Sequence, residues 1–245
     1  MRKIFEISGA DRENFLQGLI TNDIRRLSEG PLYAALLTPQ GKYLADFFLL
    51  RLGERLLFDI DAALAEATVK RLMMYKLRAD LQVAPSEMQV FRGTGTPPEG
   101  ALPDPRHPAL GWRLYGPRPG DDGSDDGSDW AALRVAHVIP ESGIELTGES
   151  YILEMGFERL HGVDFRKGCY VGQEVTARMK HKTELRKGLV RLRIEGAAPP
   201  GSTIMAEGRA VGTLFTQAGG FALAHLRLDA LDGPLEAGEA RLFAA

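Results

Sequence analysis

Apolar positions recur along the first ninety residues with two different periods, and each change of period marks a new element. Lys3 to Ile7 reads as a short strand. After Asp11, Phe15, Leu16, Leu19 and Ile20 fall at i, i+1, i+4 and i+5, the buried stripe of a helix with Asp11 as its cap and Thr21-Asn22-Asp23 as its end. Leu32 to Leu37 and Tyr43 to Leu52 read as strands flanking Thr38-Pro39-Gln40-Gly41, where Pro at the second turn position and Gly at the fourth favour a type I turn. Arg55 to Ile60 is a further strand leading to Asp61, an N-cap for a helix carrying Leu64, Ala67, Thr68, Leu72 and Tyr75 at helical offsets. Strands at Asp80 to Val83 and Glu87 to Arg92 complete an α+β region with mainly antiparallel pairing.

From Gly93 to Asp129 the pattern lapses into Gly, Pro and Asp, and Asp121 to Asp129 holds five acids without a base, the signature of a solvated loop. Order resumes with a helical stretch from Trp130 through Val138, and again at Tyr151. Beyond Lys187 short alternating runs separated by Gly and Pro predict a small terminal β-barrel. The division expected is residues 1–186 as an α+β region and residues 187–245 as the barrel.

Composition narrows the classes. With 44% hydrophobic and 26% charged residues in a chain of 245, a sizeable core is affordable and disorder is not the default. A net charge of -3 argues against coating nucleic acid by bulk charge. One segment is locally basic: nine lysines and arginines from Arg166 to Arg193 stand against Glu174 and Glu184. That segment suits a polyglutamylated ligand, a weak RNA contact, or plain solvation with some steering, which is the reading favoured. The lone cysteine, Cys169, cannot close an intramolecular disulfide, and the opening residues lack a signal-peptide apolar core, so a cytoplasmic location is expected. No apolar run is long enough to span a membrane, and the histidines show no metal-ligand spacing, so no metal site is expected.

Chemistry concentrates between Val163 and Lys180, read as a strand entering a tight turn at Gly168, then Cys169, then a helix starting near Gly172-Gln173. A cysteine just ahead of a helix, with Arg166 and Lys167 nearby, sits where thiolate is favoured over thiol. The alternative is a cysteine that packs as a small hydrophobe.

Lys167-Gly168-Cys169-Tyr170-Val171-Gly172-Gln173-Glu174 matches the K-G-C-Y-x-G-Q-E signature and thereby resembles the YgfZ family, relatives of the glycine-cleavage T-protein. The resemblance continues in Ala177-Arg178-Met179, in Phe15 to Asp23, similar to an F-L-Q-G-x-x-T-N-D block shared with the T-protein, and in Ala210-Val211-Gly212-Thr213 of the barrel. It implies a three-lobed, ring-like fold with tetrahydrofolate or a derivative in a central opening. Glu154 lies where the T-protein has a pterin-binding glutamate, with Ile152 where relatives place Pro. Arg134 reads equally as a folate-carboxylate contact and as a structural ion pair. Lys167, Tyr170, Gln173 and Arg178 complete the expected binding residues, and Cys169 is the candidate reactive thiol. Lys42 and Asp46 share a strand face and read as a plain ion pair.

The function the resemblance implies is a folate-binding accessory factor for assembly or repair of iron–sulfur proteins, tRNA-modifying enzymes included, with those proteins or their assembly machinery as partners. Two alternatives stand beside it: a tetrahydrofolate-dependent aminomethyl transferase, and a scaffold that binds folate without chemistry. Against the transferase, Pro85 to Gly95 gives no match to the T-protein's acidic residue near a Q-G-P turn.

Overall fold

The computed structural model describes residues 1–117, 126–182 and 184–245. The acidic run expected to be a solvated loop lies mostly outside the described residues. Contacts divide the chain into two compact units, one of Met1–Ser128 with Glu158–Glu174, the other of Asp129–Phe157 with Val175–Ala245.

In the first unit the elements are β1 (Arg2–Ser8), α1 (Arg12–Gln17), β2 (Leu32–Leu37), β3 (Tyr43–Leu52), β4 (Arg55–Asp61), α2 (Ala62–Lys76) and β5 (Gln82–Pro85). The strands form one antiparallel sheet in the order β2-β3-β4-β1-β5. Strand residues alternate between two covered faces. Ile7, Phe47, Leu49, Phe58 and Ile60 pack in one core with Leu16 and Ile20 beside α1 and with Ala65 and Leu72 of α2. Ile4, Leu50 and Leu57 join the opposite core with Tyr115 of a second sheet, formed by β6 (Gln89–Gly93), β7 (Leu102–Pro103) and β8 (Trp112–Gly116). Both faces are buried, so β2 and the middle of β3 and β4 carry almost no exposed position.

Three local expectations change. The Asp11 carboxylate does not cap α1; it accepts from the Asp80 backbone N–H at 2.8 Å and ties the helix start to the chain entering β5. Asp61 does cap α2, accepting from Ala63 N–H at 2.8 Å, and Leu64, Thr68, Leu72 and Tyr75 face inward as expected, but Ala67 is exposed and Ala65 takes the buried place. The chain from Val163 to Lys167 is irregular and not a strand: Asp164 N–H goes to the Thr21 carbonyl and Arg166 N–H to the Asp164 carboxylate, with no ladder along a neighbouring strand.

The second unit holds α3 (Trp130–His137), most of α4 (Gln173–Lys182), and strands β9 (Lys187–Glu195), β10 (Thr203–Ala206), β11 (Arg209–Ala218), β12 (Phe221–Arg227), β13 (Leu235–Ala237) and β14 (Ala240–Ala244). These strands close into the expected barrel in the order β10-β11-β12-β9-β14-β13. Leu192, Leu214, Ala222, Ala224, Leu226 and Leu242 fill its interior. The small alanines on β12 suit the narrow lumen of a six-stranded barrel. At Gly212 a Cβ would stand 2.3 Å from that of Leu226, so only glycine lets β11 and β12 approach there. Among the described residues no helix is long and apolar enough to cross a membrane.

Candidate functional site

The first part of the site is the loop bearing Cys169, and the residues that build it come from the segment after α1. Thr21, fully buried, donates from Oγ1 to Gly162 O at 2.7 Å, and its carbonyl accepts from Asp164 N–H at 3.0 Å. Asn22 donates from Nδ2 to Tyr33 O at 2.8 Å and to His161 O at 2.7 Å, while its Oδ1 accepts from Asp23 N–H. Every polar atom of that amide is used, which is what a buried asparagine requires. Asp23 in turn accepts from Arg25 N–H at 3.0 Å and from the Arg25 guanidinium, which holds its carboxyl at about 2.

Lys167 is the central fastener. Its Nζ is buried and donates to the carbonyls of Gln17 at 2.6 Å and Ile20 at 2.5 Å, beside the Tyr170 ring at 4.7 Å. The Gln17 carbonyl ends α1, where a cation is favoured, and the Ile20 carbonyl follows just beyond the helix. Burial lowers the Lys167 pKa to about 8, against the pull of Asp23 and Asp164. Farther along, Val171 N–H donates to Gly18 O at 3.3 Å, and Gln173 Oε1 accepts from Tyr170 N–H at 3.2 Å while Gln173 N–H donates to Tyr170 O. Gly172, at φ +85°, lies against the β2–β3 turn; a Cβ there would stand 2.5 Å from Thr38 O. Gly168, read as the tight turn, has open space around it, so the conformational demand sits on Gly172. Between these fixed points Cys169 is exposed.

The second part lies in the other unit. Glu154 is held twice by adjacent barrel strands: its carbonyl accepts from Leu189 N–H of β9 at 2.7 Å, and its Oε2 is 2.9 Å from His225 Nε2 of β12. Leu189 and His225 are partners in the β9–β12 register. Oε1 of Glu154 has no partner in the described chain. Arg134 of α3 is buried, with Nη1 on the fully buried Glu145 at 2.9 Å, Nε on Glu141 at 3.0 Å and Nη2 on Thr216 Oγ1 at 3.0 Å. Its donors are committed, which is the ion-pair geometry. Arg178 is an exposed side chain of α4.

Of the residues expected at folate, Glu154 thus offers a half-buried acceptor suited to pterin N–H groups, and Arg178 an accessible cation suited to a carboxylate. Lys167, Tyr170 and Gln173 serve the cysteine loop. Asp46, read as the partner of Lys42, accepts from the hydroxyls of Tyr33 at 3.0 Å and Tyr43 at 2.6 Å. Among the described residues no group of three or more His, Cys, Asp or Glu side chains lies together as a metal site.

The second face of the first unit's sheet holds a buried charge network that no motif in the sequence marks. Asp59 is fully buried and accepts from Arg2 at 2.7 Å, from Arg113 at 2.5 Å and from the Tyr115 hydroxyl at 2.8 Å. Arg113 also reaches Asp104 at 3.3 Å, which takes Arg106 at 2.9 Å. The Arg113 guanidinium lies 3.9 Å from the Phe48 ring centroid, a desolvated cation–π contact. The available signal was Asp59 itself, an acid inside the apolar run Leu56 to Ile60.

The structure resembles that of the glycine cleavage system aminomethyltransferase T from Bartonella henselae, with a TM-score of 0.77 over 100% of this chain and 83% of that one, at 15% identity. Residues 186–245 match the model of the CAF17 C-terminal β-barrel domain. Together they define the class by architecture, an aminomethyltransferase-T-like fold ending in a CAF17-type barrel. In sequence the chain is 33% identical to the mitochondrial iron–sulfur cluster assembly factor IBA57 of Mus musculus, over 96% of this chain and 78% of the relative, and 31% identical to that of Homo sapiens with the same coverage. A homologue in Mycosarcoma maydis is 33% identical over 82% of this chain, which spans 58% of that relative's length. The chain belongs to the IBA57 family of iron–sulfur cluster assembly factors. The cytoplasmic expectation is overturned by these relatives, all three named as mitochondrial. A lone unpaired cysteine signals a reducing environment without choosing among compartments.

Proposed function

We propose that the chain is a folate-binding iron–sulfur assembly factor of the YgfZ type, in which Cys169 is the chemical group and Glu154 accepts from the pterin. One observation carries the reading: Cys169 is exposed on a loop whose neighbours are fastened to the α1 region by Thr21, Asn22 and Lys167. A packing cysteine needs no such support, whereas a thiol that meets a partner needs a fixed position. One thiolate supplies one ligand of a cluster, so a cluster in transit takes its other ligands from the partner protein. Clients on this reading include the cluster enzymes that modify tRNA.

The test uses cells lacking the native protein. Cys169→Ala is expected to fold and to bind 5-formyl-tetrahydrofolate in calorimetry, yet fail to restore iron–sulfur enzyme activity; full complementation would show the thiol to be dispensable. Glu154→Gln is expected to lose about 1.5 to 3 kcal/mol of folate affinity, the range for hydrogen bonds to charged groups. The likeness to aminomethyltransferase T favours a second reading, tetrahydrofolate-dependent transfer. Glycine-dependent methylene transfer by the purified protein would replace the first reading with the second.

A further inference from the structure

We infer that His225, on the barrel, is the positioning residue of the pterin-binding carboxylate; the inference rests on the reading of Glu154 given above. His225 lies at the centre of β12, paired through the ladder with Thr213 of β11 on one side and Leu189 of β9 on the other. Its neighbours Ala224 and Leu226 belong to the barrel interior. Strand alternation therefore turns His225 to the outer surface. There its Nε2 meets Glu154 Oε2 at 2.9 Å, both side chains being only partly exposed, 25% for His225 and 16% for Glu154.

A carboxylate offers acceptors, and the His225 tautomer with its N–H at Nε2 is the one that donates to it. Leu189, the register partner of His225, binds the Glu154 carbonyl at 2.7 Å. One pair of barrel residues thus fixes both the backbone and the carboxylate of Glu154. With Oε2 engaged, Oε1 and the remaining lone pair of Oε2 stay directed for ligand N–H donors. A free glutamate side chain would sample several rotamers and lose freedom on binding; here that cost is met in advance by the barrel. The barrel is then part of the pterin site and not an appendage to it.

The experiment is calorimetric titration of the full chain with 5-formyl-tetrahydrofolate, with thermal unfolding recorded on each variant. His225→Leu removes the donor and is expected to weaken binding about tenfold, since a hydrogen bond to a charged group is worth at least about 1.5 kcal/mol. His225→Gln keeps an N–H donor and is expected to restore affinity to within about threefold of wild type. A role confined to barrel stability would lower the melting temperature of both variants without separating their affinities. In the Glu154→Gln background, adding His225→Leu is expected to cost less than it does alone, because the two residues act on one contact. If Glu154→Gln loses affinity while His225→Leu does not, the positioning role is refuted and the pterin reading stands. If the wild-type chain does not bind the folate, or Glu154→Gln binds it as wild type does, both fall.

Discussion

At the scale of single residues the eight-residue cysteine signature separates into parts with different physical duties. Lys167 closes the end of α1, Tyr170 and Gln173 brace the turn before α4, and Gly172 allows the close approach to Thr38. Cys169 is exposed, as are Gly168 and Glu174, and of these three it alone carries a nucleophile. Gly172→Ala is expected to destabilise by more than about 1 kcal/mol, since it combines a positive φ with a Cβ against backbone. Gly168→Ala, in open space at negative φ, is expected to stay within about 1 kcal/mol of wild type. Thermal unfolding of the two variants decides whether the signature's second glycine is the constrained one. The residue types were legible in the sequence, but which glycine carried the constraint was not, because the constraint comes from a hairpin more than a hundred residues away in the chain. For the same reason Arg134 could not be assigned: Glu145 is near it in sequence, yet Thr216, the third corner, comes from β11.

At the scale of elements, periodicity placed β2, β3, β4, α2 and α3 close to their observed bounds. It failed where side chains replace ladder bonds. Val163 to Lys167 resembles a strand in composition, but Arg166 N–H goes to the Asp164 carboxylate and the one backbone bond, Asp164 N–H to Thr21 O, is isolated and continues into no ladder. Periodicity also hides the charge network, since Asp59 occupies the same alternating position as an apolar residue would. Burial raises the Asp59 pKa and the charges of Arg2 and Arg113 more than reverse that, leaving it lowered. Asp59→Asn leaves Arg113, itself almost fully buried, short of half its charge partners. The expected cost is about 3 to 5 kcal/mol, the range for breaking a buried ion pair on one side. Urea unfolding of Asp59→Asn measures it, and a loss below about 1 kcal/mol would show that Asp104 and Phe48 suffice for Arg113.

At the scale of the whole molecule, each unit carries one of the two tryptophans, Trp112 in β8 and Trp130 in α3, so the stability of the first unit can be followed by itself. Its acid response follows from Asp104. Burial raises that carboxyl, but Arg106 and Arg113 bring it down to about 2 from an ordinary 3.8. Above pH 3.8 the carboxyl is ionised in folded and unfolded chains alike, and its contribution, about 2 kcal/mol, is fully present. As pH falls from 3.8 toward 2 the unfolded chain takes up the proton first, so the contribution shrinks, and below 2 it is gone. Asp59, lowered in the same sense, adds to the loss. In a Trp130→Phe background, the urea midpoint reported by Trp112 fluorescence is therefore expected to be lower at pH 3 than at pH 5. Asp104→Asn in that background is expected to start from a lower midpoint at pH 5 and to fall less between the two. An equal drop in both proteins would remove Asp104 from the account and leave the acid sensitivity to Asp59 and the surface carboxylates.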